Sequence, residues 1–465
     1  MDNSKKTKKP LSKALKTFYG VGDCAFSLMT SVENYFFPFF LTNLAQFDLG
    51  LAALIQTITS GVDAAISWIY GAIIDGSKPM KWGRYRSWLI ALPWIVPLLY
   101  ALQFVKFGNN AINAVTIIIG FLASHMIWNI PYVANVSLIT LAAQTPEDRA
   151  QLTATRGAWA NMSRVLFPYV GIPMASFFAG IIGETNQYAA TAFVLGVIMA
   201  VMYYAHFKMF DGYEDVDVVT DVKSKKADKM SGGDMLKSLF QNPPLLVLLI
   251  ADVSKFLFNF LLGGIAVYYF TYVAQNAALL PTYIFIANIL GVIGSYVSKN
   301  FAKTLSTRTA AIVFFVITAA VLIVAKLLWA SVSVYVVIIL LSIGQFSYGV
   351  NYSLIPALYA DCVIYSEWKT GKKASGWIMG LQNLPLKVSI LLRGLIISAV
   401  LASANFTPDI DPAQASDALK NAITNGFMLI PAIFSLVSAV LLVVGFKITR
   451  EKVVEYQEEI NSRTV

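Results

Sequence analysis

Twelve apolar stretches constrain this chain more than any other feature. They fall at approximately residues 18–44, 50–74, 87–107, 112–142, 152–182, 188–208, 245–275, 281–302, 308–328, 331–360, 374–403 and 423–447. A helix needs about 20 apolar residues to cross the hydrocarbon of a bilayer, and each stretch is long enough. The chain of 465 residues is 57% hydrophobic and only 13% charged, where a soluble domain is about one quarter charged. A core of ordinary size cannot absorb that much apolar surface, so lipid is the expected solvent.

The gaps between stretches give an orientation. Those after stretches two, four, six, eight and ten hold Lys78, Lys81, Arg84 and Arg86, then Arg149, then Lys223, Lys225 and Lys226, then Lys299 and Lys303, then Lys369, Lys372 and Lys373. The alternate gaps hold few basic residues. Lysine and arginine stay in the cytoplasm, so both termini are expected there, in a multi-pass protein of a cell inner or plasma membrane. The net charge of +9 follows this topological pattern and does not point to nucleic acid. The basic start, MDNSKKTKKPLSKALK, lacks a short apolar core and cleavage site, and reads as a retained tail.

The longest polar insert, 209–242, divides the stretches six and six. The expected organisation is a tail over 1–17, a bundle over 18–208, a linker over 209–242, a second bundle over 243–447 and a tail over 448–465. This resembles the architecture of a major facilitator transporter: an all-α membrane protein with twelve transmembrane helices in two six-helix bundles.

Charges at bilayer depth cost a few kcal/mol and usually face a cavity or a partner. Asp63 lies mid-stretch among Val62, Ala64, Ala65 and Ile66, with Ser67 one turn on. Lys387 lies mid-stretch between Gly380 and Gly394. Neither has a partner on its own helix, and both read as functional. Asp23 and Glu33 lie on the first stretch, and Arg156 and Arg164 on the fifth. Asp252 and Lys255, three residues apart, read as a local ion pair. His125, Trp128, Tyr132 and Asn135 form one polar-aromatic stripe, and Gln345, Tyr348, Tyr352 and Tyr359 another. Such stripes suit a polar, ring-shaped solute, or equally helix packing; His125 alone reads as a packed neutral ring.

No metal or cofactor site is expected. Cys24 and Cys362 are far apart, as are His125 and His206, and nothing completes a ligand set. The chain also lacks a phosphate-binding glycine loop and a Ser–His–Asp set, which weighs against a membrane-embedded enzyme. The linker and tails are short for a receptor domain.

Several segments are similar to the glycoside–pentoside–hexuronide:cation symporters. GAIIDGSKPMKWGRYRSW at 71–88 resembles their loop between helices two and three, with Ser87 in place of a proline. ADCVIYSEWKTGKKASG at 360–376 resembles another family segment, which a glutamine and a lysine follow, here Gln382 and Lys387. RAQLTATR at 149–156 and YGVGD at 19–23 resemble the openings of helices five and one, and YYFTYV at 268–273 resembles melibiose permeases.

The resemblance implies a sugar site between the halves and alternating access, with the sugar and the bilayer as partners and a monomer as the expected state. It assigns Arg156, Lys387, Gln382, Trp128 and Tyr352 to the sugar, and Asp63, with Ser67 and Asn129, to the coupling cation. It places Asp75, Gly83, Arg84, Arg86, Asp361 and Glu367 at a cytoplasmic gate, although the basic loop also serves orientation alone. Three family carboxylates are replaced here, by Ser67, Ser27 and Tyr132; Ser27, Tyr132 and Arg164 therefore join the candidate sugar site. One carboxylate is a thin ligand set for sodium, and a lone buried acid readily takes up a proton. Proton coupling through Asp63 is expected ahead of sodium coupling. A glycoside is the first expectation for the solute and an acidic sugar such as a hexuronide the second. A sodium-coupled or uncoupled transporter of another small organic anion is the alternative.

Overall fold

A computed structural model of the chain describes residues 9–214 and 239–463, except 67–69, 71–72, 75–76, 78–79, 143–145, 372–377 and 379–380. It forms two compact units, Met1–Lys225 and Lys226–Val465. Both are helical, and no strand occurs among the described residues.

In the first unit a short helix α1 (Lys13–Phe18) leads into α2 (Val21–Phe39), then α3 (Leu49–Ile66), α4 (Trp88–Ala91), α5 (Val96–Leu102), α6 (Asn110–Ala142), α7 (Pro146–Ile182) and α8 (Gln187–Met209). In the second unit come α9 (Pro243–Tyr268), α10 (Leu280–Leu305), α11 (Thr307–Leu328), α12 (Val334–Thr370), α13 (Asn383–Ala402), α14 (Asp417–Thr424), α15 (Ile430–Val444) and α16 (Arg450–Arg463). Every one of the twelve apolar stretches carries helix. Among the described residues, ten helical segments are long and apolar enough to cross a membrane.

The first and third stretches fall short of that measure for different reasons. The first contains Asp23 and Glu33 and so is less apolar. The third is expected as one helix over 87–107, but the structure breaks it between α4 and α5. Pro93 and Pro97 lie at the break; each lacks an N–H and obstructs the preceding turn. The expected tail also differs. Residues 450–463 form α16, which docks on the end of α12: Tyr456 stacks on Trp368 at 4.3 Å, and Trp368 Nε1 donates to Glu459 at 2.7 Å.

The two units share a device that the spacing of charges does not reveal. α2 runs into a π-helical turn at Phe40–Leu44, and α9 into one at Tyr269–Val273. The sequences are FLTNLAQ and YFTYVAQ. Ala45 N–H donates to the Phe40 carbonyl at 2.7 Å, and Ala274 N–H to that of Tyr269 at 2.8 Å. Gln46 and Gln275 then take the same left-handed backbone conformation, φ 58° and 50°. The first long helix of each unit, α2 and α9, thus ends in one repeated structure, as expected of an internal duplication.

Packing follows membrane rules. Between α10 and α12 a Cβ on Gly349 would overlap the Gly291 carbonyl, and one on Gly294 that of Phe346. Small residues there let the backbones touch, which replaces the hydrophobic drive that lipid cannot supply. The Ser295 and Ser353 hydroxyls bond across the same seam at 2.5 Å. Large apolar side chains such as Phe177, Ile181, Leu327 and Val444 lie exposed, far more than a soluble monomer tolerates; they suit contact with acyl chains.

Candidate functional site

In the first unit, α2 and α7 pack together and bring Asp23 against Arg156. Arg156 Nε donates to Asp23 Oδ2 at 2.9 Å, and Nη2 to Oδ1 at 2.5 Å. This two-pronged geometry is the strongest form of the arginine–carboxylate contact. Asp23 is 4% exposed, and Arg156 is partly buried.

Aromatic rings frame the pair. The Arg156 guanidinium lies 5.5 Å from the centre of the Tyr132 ring. Phe26 stacks on Tyr132 at 4.5 Å and meets Trp128 at 5.0 Å. Ser27 follows Phe26 on α2 and is half-buried. Of the stripe read from α6, Tyr132 meets Arg156, and Trp128 joins it through Phe26. A guanidinium, a carboxylate and flat ring faces are what a polyhydroxylated ring needs: donors and acceptors for its hydroxyls and planes for its C–H face.

The second focus is Asp63, 5% exposed on α3. Tyr70 donates its hydroxyl to Asp63 Oδ1 at 3.3 Å and also interacts with the Asn129 side chain. Asn129 is held in turn by donating to the His125 carbonyl at 2.7 Å. Two of the expected cation-coupling residues, Asp63 and Asn129, are thus joined through Tyr70. The sequence reading passed over Tyr70, although a residue seven positions on lies on the same helical face. Ser67, the third of the set, lies outside the described residues.

Arg164 lies eight residues beyond Arg156 on α7, about 12 Å along the helix, and is half-buried. In the second unit Lys387 on α13 and Gln382 at its start are half-buried as well. Ser389 ties α13 to α9 by donating to the Val253 carbonyl at 2.8 Å. Asp252 and Lys255 form the local ion pair at 2.5 Å, and Tyr359 donates to the other oxygen of Asp252 at 3.1 Å. Lys255 Nζ lies over the Tyr352 ring, 5.3 Å from its centre, so Tyr352 turns a face toward a cation already paired with Asp252 while remaining 40% exposed.

The basic loop has an anchor that sequence spacing could not show. The Glu214 carboxylate accepts from three successive backbone N–H groups, Arg84 at 2.6 Å, Tyr85 at 3.0 Å and Arg86 at 2.9 Å. Gly83, φ 104°, permits the approach: a Cβ there would overlap the Glu214 side chain. Arg86 pairs with Asp211 at 2.7 Å and donates from Nε to the Phe207 carbonyl at 2.7 Å. Asp75 of the expected gate lies outside the described residues. Asp361 and Glu367 are half-buried on the last turns of α12, and the helix ends at Gly371, φ 69°. Among the described residues no His, Cys, Asp and Glu cluster could hold a metal ion.

Residues 18–450 match the family model for MFS/sugar transport proteins. The chain is 24% identical to the isoprimeverose transporter of Lactiplantibacillus pentosus, over 91% of this chain and 86% of that protein. It is 26% identical to a putative sulfoquinovose importer of Escherichia coli K12, over 96% of this chain and 93% of that one. In fold it is similar to the crystal structure of the nucleoside transporter NupG, with a TM-score of 0.64 at 13% identity, covering 93% of this chain and 99% of that chain.

Proposed function

Because this chain belongs to the MFS/sugar transport protein family, we propose that it is a symporter that imports a glycoside or related sugar with a proton, by alternating access. Membership makes it a multi-pass membrane transporter and not an enzyme. The identity of the solute, the coupling ion and the cytoplasmic placing of both termini are the proposal.

The observation that carries the reading is that the first unit holds both the Asp63–Tyr70–Asn129 set and the Asp23–Arg156 pair. For the ion, Asp63 is a buried carboxylate that accepts from the Tyr70 phenol, and a buried acid held by a neutral donor readily takes up a proton. For the solute, Arg156 is neutralised by Asp23, so one of three candidate cations no longer argues for an anionic substrate. A neutral glycoside fits this best, in keeping with the relative named for isoprimeverose. An acidic sugar is the second reading, favoured by half-buried Arg164 and Lys387 and by the relative named for sulfoquinovose.

Reconstituted vesicles test both parts. Labelled neutral glycosides and hexuronides are offered under an inward proton gradient, an inward sodium gradient, or neither. Accumulation of a neutral glycoside under the proton gradient alone is expected. Accumulation under sodium alone overturns the ion, and a preference for hexuronides overturns the solute.

A further inference from the structure

The local ion pair of Asp252 and Lys255 belongs to a longer run of contacts between α9 and α12, all within the second unit. The contacts follow one another in reverse order along the two helices. Asn242 Nδ2 donates to the Cys362 carbonyl at 3.0 Å. The Tyr359 hydroxyl donates to Asp252 Oδ2 at 3.1 Å. Lys255 Nζ pairs with Asp252 Oδ1 at 2.5 Å and lies over the Tyr352 ring, 5.3 Å from its centre. Phe258 then meets Tyr348 at 5.9 Å between ring centres. The helices are therefore antiparallel here, and a polar circuit sits in the middle of their seam.

The circuit begins and ends on α12. Tyr352 and Tyr359 are seven residues apart and share one face of that helix. Asp252 and Lys255 are one turn apart on α9. The Asp252 carboxylate gives one oxygen to Tyr359 and the other to Lys255. The Lys255 ammonium, held by that carboxylate, faces two rings, Phe256 at 4.1 Å and Tyr352. A cation over an aromatic face is attracted by the ring's quadrupole, and more strongly where water is excluded.

Burial differs along the circuit. Asp252, Lys255 and Tyr359 are buried, as are Phe258 and Tyr348 beyond them, whereas Tyr352 is accessible. A fixed, buried charge thus bears on the one exposed ring of the group. Holding a side chain before its partner arrives lowers the ordering cost of binding.

We propose that Asp252, Lys255 and Tyr359 are positioning residues for Tyr352, fixing the ring against which the solute packs and thereby setting glycoside affinity without touching the glycoside. The network stands on its own geometry; its role rests on the glycoside reading and on the assignment of Tyr352 to the sugar.

Two measurements on the full chain in lipid nanodiscs test this. In the first, fluorotyrosine replaces Tyr352 by site-specific incorporation, and its fluorine resonance reports the surroundings of the ring with no solute present. Lys255→Met and Tyr359→Phe are each expected to move or broaden that resonance; a resonance unchanged in both overturns the network. Lys255→Met strands a buried carboxylate. Should it fold poorly, the double variant Asp252→Asn/Lys255→Met removes both charges and takes its place.

In the second, calorimetry measures binding of para-nitrophenyl glycosides of xylose, glucose, galactose and glucuronic acid, with no ion gradient. Loss of the network should weaken binding by roughly threefold to tenfold. Lys255→Arg, which keeps a charge over the ring, should weaken it less. In a Tyr352→Leu background the same loss should have no further effect. A clamp between helices and nothing more would lower the unfolding midpoint and either leave affinity unchanged or weaken it equally in both backgrounds; either result overturns the positioning role. Failure of every glycoside to bind the unsubstituted protein overturns the glycoside reading instead, and the fluorine resonance still decides the network.

Discussion

Tyr70 donates its hydroxyl to Asp63 at 3.3 Å and thereby connects α3 to Asn129 on α6. A hydrogen bond to a charged acceptor contributes about 1.5–3 kcal/mol, and 1.4 kcal/mol is roughly tenfold in affinity. Tyr70→Phe should therefore change the apparent proton affinity of uptake by about tenfold or more, while exchange of labelled sugar across the vesicle continues. Uptake measured against external pH checks this; an unchanged profile removes Tyr70 from the coupling set.

The Asp23–Arg156 pair predicts a strongly non-additive result. Removing one partner of a buried ion pair costs about 3–5 kcal/mol, because the other charge is stranded. Asp23→Asn and Arg156→Gln should each lower the unfolding midpoint in detergent clearly. The double variant should lose much less than the sum of the two. Additive losses would mean that the pair is not coupled as its geometry indicates.

These two foci differ in how far the sequence discloses them. The helical class and the two units are legible, because hydropathy is a local signal, and a charge in an apolar run likewise singles out Asp63 and Arg156 as positions to inspect. The 3.6-residue period also places Trp128 and Tyr132 on one face of α6. What joins that face to Arg156 is a contact between α6 and α7, and what joins Asp23 to Arg156 is one between α2 and α7; periodicity within one helix says nothing about its neighbour. Asp23 read as one more charge on the first stretch for that reason. Glu214 is less legible still. It belongs to a charged linker, and its partners are backbone N–H groups, which carry no sequence signature. The break between α4 and α5 was within reach, since Pro93 and Pro97 mark it.

Glu214 predicts the behaviour of the basic loop. Glu214→Ala withdraws the acceptor from three N–H groups and should release residues 80–87. Limited trypsin digestion of the purified protein should then cut faster at Lys81 and Arg84, at least severalfold, with Glu214→Gln between the two. Equal rates in all three proteins would show that the loop is held elsewhere.

The seam between α10 and α12 predicts a cost in stability. Gly349→Val would place branched carbons where the Gly291 carbonyl stands, and the helices must separate. Overpacking of this kind costs about 1–3 kcal/mol or more. The unfolding midpoint should fall, whereas Leu327→Val on the exposed face of α11 should leave it nearly unchanged. Equal effects would contradict the close backbone contact.

The account turns on Asp63 as the group that ties sugar movement to the ion. The direct measurement is uptake of labelled glycoside into vesicles containing Asp63→Asn, under an inward proton gradient and, separately, under equilibrium exchange. The account predicts that accumulation against a concentration gradient is abolished while exchange persists. Accumulation in Asp63→Asn that still follows the proton gradient would contradict it.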